Sequence, residues 1–334
     1  MEEQQITLIL IRSDGMFDIT ELVKQIEWSG RKGSAPRTLE VSLLDSSEYE
    51  RSGINVEKGH SLIFYWNKVE LFRGMILKQV DSDNRIMTVK AYDICRYIAN
   101  NRDSFSYENK TLTYIFQDIC RRFQIPAGEV ANCNYQIEEM SGMTTTAWDV
   151  LCDAMLETFR YTGERYYIYA DGERVNLIKR ADSVIVWVVE TGSNIINYER
   201  TRDYSDFVTR VVLYGDDEEI ITQEIDSGLE AIFGIFQNVE KPKKDLSTAK
   251  YGQIAKNALI HDGKPDHYVD ITAIGISDCI TGAALQLIIP EIEVSSIFYI
   301  DEDTHTFSSN NASENGGFNH IMRLKLRLTN EIQG

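Results

Sequence analysis

"HIMRLKLR", residues 320–327, repeats a pattern that occurs earlier in the chain, in "RIMTVKAY" at residues 85–92. Each stretch has Ile-Met, one further residue, Val or Leu, and then Lys, and its apolar and polar positions alternate as in a β-strand. Each also follows a strand-like segment and a polar loop, so each closes a predicted hairpin. Similarity at a distance within one chain indicates duplication. We therefore predict two β-rich regions built from a duplicated module.

The first β-rich region covers residues 1–100. A hairpin signal, Ser13-Asp14-Gly15, separates its first two apolar stretches, and "TLEVSLLD" (38–45) alternates with a period of two. Polar turns at Asn67-Lys68 and at residues 81–84 separate three further strands. About six short antiparallel strands in this length predict a small barrel or sandwich.

Residues 101–183 change to a helical period and predict an intervening α+β domain. Apolar side chains recur every three or four residues in "TLTYIFQDICRRF" (111–123) and in "TTAWDVLCDAMLETF" (145–159). Thr111 is the predicted N-cap of the first helix, and Pro126 lies just past its end. A hairpin turned by Asp171-Gly172 follows the second helix.

Residues 184–334 return to strands and predict a second barrel. The segment at about 222–264 is a polar stretch that leads into a predicted helix, and we interpret this segment as an excursion between two strands of that barrel. The predicted strands are "VIVWVVE" (184–190), "FVTRVVLYG" (207–215), "HYVDITAIG" (267–275), "ALQLIIPEIEV" (284–294), "SIFYIDEDTHTF" (296–307) and "HIMRLKLRL" (320–328).

The overall composition argues against several classes of protein. The net charge is −18, whereas nucleic-acid affinity and binding to anionic membranes both depend on Lys and Arg. No apolar run reaches the length of a membrane span, and the acidic start is unlike a signal peptide, so we expect synthesis in a cytosol. The five cysteines are far apart and form no CxxC pair, which predicts neither disulfides nor a zinc knuckle.

The strongest candidate for chemistry is "YIDEDTHTF" (299–307), in which Asp301, Asp303 and His305 alternate, with His320 in the following strand. Carboxylates and imidazoles are metal ligands, so one interpretation is a metal-dependent hydrolase that uses these four residues. However, Asp301 and His305 on one straight strand would lie about 13 Å apart, too far for one ion. The preferred interpretation is a polar strand face on which His305 and His320 pair across two strands.

Other motifs add no chemistry. Glu291 and Glu293 lie two positions apart on one predicted strand face, as a glycosidase pair could, but so acidic a chain produces such pairs by chance. No GxGxxG, Walker A, HExxH or GxSxG motif is present. We therefore predict no catalytic residue, no cofactor and no metal site. Beside the hydrolase and the polar strand face without chemistry, a third interpretation is a β-protein that binds a carbohydrate or a receptor.

The order of segments resembles phage tail baseplate hub proteins of the PBSX-prophage type, which belong with the late-control D and contractile-injection hub superfamily. The resemblance covers nearly the whole chain. It is carried by residues 18–45, 69–80, 88–98, 114–130, and 298–307 with 320–328.

This resemblance implies a non-enzymatic structural hub. Such hubs have two tube-type barrels and an α+β domain per subunit and form a homotrimer, which adapts a hexameric tail tube to a trimeric spike. The implied partners are the tube protein, the spike protein and other baseplate or tape-measure components, and the implied location is the virion. The sequence departs from the family pattern at "GISDCITGAALQL" (275–287), where a plainer turn is expected.

Overall fold

One large, largely antiparallel sheet dominates the computed structural model, which describes residues 5–44, 55–82, 85–179, 187–215, 219–242, 246–309 and 317–328. The chain begins with seven strands of this sheet: β1 (Ile6–Arg12), β2 (Gly15–Asp18), β3 (Val23–Arg31), β4 (Thr38–Leu44), β5 (Ser61–Trp66), β6 (Val69–Asp81) and β7 (Ile86–Tyr92).

The middle of the chain forms two small sheets and three helices. The elements are α1 (Cys95–Asn100), β8 (Arg102–Thr111), α2 (Leu112–Arg122), β9 (Ala127–Val130), β10 (Gln136–Thr146), α3 (Ala147–Thr162), β11 (Tyr166–Asp171) and β12 (Arg174–Lys179).

The last part of the chain returns to the large sheet, with one excursion. The elements are β13 (Val188–Glu190), β14 (Ile195–Asp203), β15 (Arg210–Tyr214), β16 (Ile220–Ile225), α4 (Ser227–Phe233), β17 (Gln237–Glu240), α5 (Thr248–Asp262), β18 (Asp266–Ile274), β19 (Ala284–Ile289), β20 (Val294–Ser309) and β21 (Phe318–Arg327).

The large sheet consists of two half-sheets with the same strand order. The N-terminal half-sheet runs β3-β4-β7-β6-β5-β1, and the C-terminal half-sheet runs β14-β18-β21-β20-β19-β13. β2 pairs with β1 and has no counterpart among the described strands of the C-terminal half-sheet. When β2 is left aside and the other six strands are numbered along the chain, both half-sheets run second, third, sixth, fifth, fourth, first. One difference is that β1 pairs antiparallel with β5, whereas β13 pairs parallel with β19.

Two register shifts recur at equivalent places in the two half-sheets, whereas the shift between Phe64 and Tyr65 of β5 has no counterpart in β19. The pairing register shifts between Ile76 and Lys78 in β6, and it shifts between Ile300 and Glu302 in β20. A second pair of equivalent register shifts lies between Val23 and Gln25 in β3 and between Ile195 and Asn197 in β14. When these shifts are matched, the stretch 85–92 aligns with the stretch 320–327. Ile86, Met87 and Lys90 of β7 are then equivalent to Ile321, Met322 and Lys325 of β21.

The half-sheets join through β3 and β20, which pair antiparallel from Glu302↔Arg31 to Ser308↔Gln25. Phe307 of β20 consequently lies in the hydrophobic core of the N-terminal half-sheet, although it belongs to the C-terminal one. We call the β3·β20 pairing the junction. Among the described residues the strand pairs form a path that branches at β20 and does not close, so two closed barrels remain a prediction.

Turn and cap chemistry explains the elements that the sequence predicted. Asn67 and Lys68 both have positive φ and turn β5 into β6. Thr111 caps α2 by accepting a hydrogen bond from the Tyr114 amide, and Gly163 ends α3 in the left-handed region. The β11–β12 hairpin at Asp171-Gly172 is confirmed. The predicted turn at 81–84 lies partly outside the described residues, as does the predicted strand at 184–190.

The structure corrects three expectations. β8 and β10 pair with each other beside α2 and α3, where the sequence analysis predicted only helices and one hairpin. The strand predicted at 207–215 does not join the large sheet, because β15 pairs with β16 and β17 in a small sheet against which α5 packs. Glu291 and Glu293 do not share a strand face, since residues 290–292 form a 3-10 turn and Glu293 has a φ of 55°.

Separate apolar clusters fill the parts of the described chain. One lies under the N-terminal half-sheet, one under the C-terminal half-sheet, one among the elements α1 to β12, and a small one between α5 and β15. The described residues contain no helix with the length and apolarity that crossing a membrane requires. The domain boundaries drawn from the sequence remain a prediction.

Candidate functional site

A cluster of polar side chains lies at the junction, all buried except Arg37, whose side chain is 15% exposed. Asp303 and His305 come from β20, His320 comes from β21, and Arg37 precedes β4. The exposed fraction of Asp303 is 1% and that of His305 is 0%, so water does not solvate either group. Buried groups of this kind require protein partners, and Asp303, His305 and His320 have them.

Asp303 is the anionic centre of the cluster. Its carboxylate accepts hydrogen bonds from both terminal nitrogens of Arg37, one of them at 2.9 Å, and from the amide and hydroxyl of Thr281, both at 2.6 Å. Burial alone would raise the pKa of Asp303, but the charge and hydrogen bonds of Arg37 hold it below its ordinary value. The guanidinium also stacks 4.2 Å above the ring of Trp28.

The two histidines form a hydrogen-bonded chain. Nε2 of His305 lies 3.0 Å from the carbonyl oxygen of Cys279, and Nδ1 of His305 lies 2.9 Å from Nε2 of His320. A carbonyl only accepts, so Nε2 of His305 donates to it, and its Nδ1 then accepts from His320. Burial lowers the pKa of His305 to about 4 and that of His320 to about 3, so both rings are neutral at pH 7.

Aromatic rings enclose this pair of imidazoles. Phe307 stacks on His320 with ring centroids 4.1 Å apart, and Trp66 lies edge-on to the same ring at 5.3 Å. Trp28 lies 5.2 Å from His305. The apolar surroundings explain why both imidazoles are held neutral.

A second buried carboxylate stands beside Arg37. Asp93 accepts hydrogen bonds from the Arg37 amide at 3.0 Å and from the Cys95 amide at 2.9 Å. Burial raises the pKa of Asp93 to about 7, with the two amide bonds opposing that rise. Arg37 is therefore fixed through both its backbone and its side chain.

The structure brings together three of the four residues in the predicted candidate site. Asp303, His305 and His320 meet at the junction, and the predicted pairing of His305 with His320 is confirmed. Asp301 forms an ion pair with Arg327 instead. Within the described ranges no group of three or more His, Cys, Asp and Glu side chains is arranged to hold a metal ion.

Sequence reasoning missed the partners that complete the cluster. Arg37 lies 266 positions from Asp303, and no local pattern marks it. Thr281 and the Cys279 carbonyl belong to residues 275–287, the stretch that departs from the resembled family. That departure was the one available signal, because this loop packs onto β20 where a plain turn would not.

Comparisons with known proteins agree with this architecture. A family model described as YqbQ-like matches residues 26–327, which is most of the chain. This chain belongs to the YqbQ-like family. Among relatives, this YqbQ-like chain is 28% identical over 325 residues to the uncharacterized protein YqbQ of Bacillus subtilis (strain 168), covering 93% of this chain and 97% of that protein. It is also 28% identical over 300 residues to the phage-like element PBSX protein XkdQ of the same strain, covering 86% and 92%.

Solved structures share the fold of this YqbQ-like chain. The 43 kDa tail protein of prophage MuSo2 from Shewanella oneidensis superposes with a TM-score of 0.70 at 10% identity, covering 97% of this chain and 98% of that one. The E. coli c3393 protein, described as a component of the type VI secretion system, superposes with a TM-score of 0.54 at 10% identity, covering 99% and 78%.

Proposed function

We propose that this protein is the structural baseplate hub of a phage or phage-like contractile tail. In this proposal it forms a homotrimer that adapts a hexameric tail tube to a trimeric spike, and it has no enzymatic activity. Each half-sheet would close into a tube-type barrel in the assembled ring, and the protein would be a component of the virion.

The observation that carries the proposal is the duplicated half-sheet. A ring of three identical subunits has three equivalent positions, whereas a hexameric tube presents six. Two half-sheets with the same strand order in each subunit supply six near-equivalent positions from three chains. A single half-sheet, or two of different topology, would not match a sixfold partner.

The chemistry of the junction supports a structural role. Asp303, His305 and His320 are directed at other protein groups, and aromatic rings enclose the two imidazoles. A hydrolytic site requires a reactive group that faces substrate, and these side chains face each other. The family relationship to the phage-like element protein XkdQ and the fold shared with tail proteins support a place in a tail.

Purified particles from a producing strain test the proposal. We expect three copies of this chain per particle, in threefold density between the sixfold tube and the spike, by electron microscopy and quantitative mass spectrometry. A strain that lacks the gene should release no complete tails. Particles that contain six copies, or none, would contradict the proposal.

A further inference from the structure

Two strand edges of the duplicated sheet are unpaired among the described residues. One is the outer edge of β14, where the strand path ends: β14 pairs with β18, and on its other side only Ile195 makes an isolated bridge, to Thr191. The other edge lies inside the path, because β5 pairs with β6 only as far as Met75, so residues 77–81 of β6 have β7 on one side and no strand on the other. Residues 77–81 are all exposed, including Leu77 at 46% and Val80 at 45%. Exposed strand edges of this kind are sites for pairing with another chain.

The duplication predicts which strand would pair with each of these unpaired edges. Within the chain, β20 of the C-terminal half-sheet pairs with β3 of the N-terminal half-sheet. The matching register shifts make β6 the equivalent of β20, and they make β14 the equivalent of β3. The junction therefore has a duplicate that one chain cannot form by itself, namely β6 with β14.

We propose that β6 of one copy pairs antiparallel with β14 of the next copy, as β20 pairs with β3 inside each chain. The proposal rests on the proposed function in that the neighbour is another subunit of the ring. β6 and β14 of one chain are separated by seven strand spacings, or about 34 Å along the sheet, and no pairing joins them among the described residues.

The equivalence also fixes the register. Glu302↔Arg31 at the junction becomes Lys78 opposite Asp203, and Thr304↔Ser29 becomes Val80 opposite Thr201. By the same alignment, His305↔Trp28 becomes Asp81 opposite Arg200.

Charge complementarity supports this register, since two of the resulting pairs join opposite charges. Lys78 would face Asp203, and Asp81 would face Arg200. Opposite charges on facing strands stabilise pairing, whereas like charges oppose it. A slip by one residue would also place side chains of opposite faces against each other.

Disulfide trapping in the full-length protein tests the pairing. A chain that carries both Val80→Cys and Thr201→Cys should form interchain disulfides on oxidation, in concentrated protein and in purified particles, because facing Cβ atoms lie about 5 Å apart. The matched control carries Val80→Cys with Arg202→Cys, whose side chains would point to opposite faces. The five native cysteines are free, and the single variants control for them.

A charge exchange provides an independent readout. Lys78→Glu should lower incorporation into particles about fivefold, because it sets like charges opposite each other in every interface. Adding Asp203→Lys to the same chain should restore it.

The outcomes separate this inference from the proposed function. Threefold particles in which the 80/201 pair does not cross-link would overturn the strand pairing and leave the hub role intact. Equal cross-linking of the 80/201 and 80/202 pairs would also overturn the pairing, since the register would be wrong. Particles that lack the chain altogether would overturn both.

Discussion

Asp303 shows how one residue connects distant parts of the chain. It lies on β20, yet its partners are Arg37, which precedes β4, and Thr281 in the loop before β19. A buried ion pair gives little net stability relative to an apolar pair, but loss of one partner leaves an unpaired charge in the interior. Arg37 and Asp303 therefore specify which strands meet at the junction more than they stabilise the fold.

Removal of Arg37 should consequently be costly. We expect Arg37→Met to lower the free energy of unfolding by about 3–5 kcal/mol, since Asp303 would remain buried without its cation. Arg121→Met is the matched control, because Arg121 pairs with Asp118 while its side chain is 68% exposed, and such surface pairs contribute about 0–1 kcal/mol. Urea unfolding of the two variants measures both effects, and similar losses would contradict this account.

The buried histidines predict a dependence of stability on pH. Their folded pKa values of about 4 and about 3 lie below the ordinary value of 6.5. Between roughly pH 6.5 and 4 the unfolded chain therefore binds more protons, so these two residues make stability fall as the pH falls. Asp93, whose pKa is raised to about 7, acts in the opposite direction over much of the same range.

A histidine variant isolates that contribution, because Asp93 is present in both proteins and cancels. We expect His320→Gln to reduce the loss of unfolding free energy between pH 6.5 and 4 by up to about 1.4 kcal/mol per pH unit. Denaturant titrations of the variant and the parent at intervals of half a pH unit measure the difference. Parallel curves would show that His320 titrates equally in the folded and unfolded chain.

At the scale of elements, local signals predicted some features and failed for others. The Asn67-Lys68 turn, the Thr111 cap and the helical spacing of α2 and α3 are encoded by neighbouring residues, and all appear in the structure. β8 was missed because few of its side chains are buried, which leaves a weak alternating pattern. The strand β15 was recognised, but its sheet was not, since pairing partners are chosen by tertiary contacts.

The sequence likewise predicted one contact of the candidate site and missed another. The His305–His320 pair joins adjacent strands of one hairpin, so strand alternation was enough to predict it. The Arg37–Asp303 pair depends on the junction between half-sheets, and only the three-dimensional arrangement reveals that contact.

Two glycines test the packing of elements against each other. A Cβ on Gly275 would lie 2.1 Å from the ring of His320, which is itself enclosed by aromatic side chains, so we expect Gly275→Ala to destabilise the protein. Gly252 in α5 has open space around it, so Gly252→Ala should instead stabilise the helix by about 0.5–1 kcal/mol. Thermal unfolding of both variants measures the opposite signs. A stable Gly275→Ala protein would mean that the His320 ring can move aside.

At the scale of the whole molecule, the two half-sheets repeat a pair of opposite charges. On the large sheet Glu40 lies 3.5 Å from Lys90, and at the equivalent positions Asp270 faces Lys325. The repeated pair also shows that the duplication preserved charge pairing as well as strand order.

Phe307 makes the stability of the two half-sheets interdependent. Its side chain is fully buried on β20, but it packs against Phe64 and Trp66 of β5, with ring centroids 4.9 and 4.8 Å away. We expect Phe307→Ala to cost about 3–5 kcal/mol and to speed hydrogen exchange in both half-sheets. Phe298→Ala is the matched control, since Phe298 lies on the same strand but packs only in the C-terminal cluster. Amide exchange followed by mass spectrometry distinguishes the variants: faster exchange in the N-terminal half-sheet alone after Phe307→Ala would mean that the half-sheets open independently.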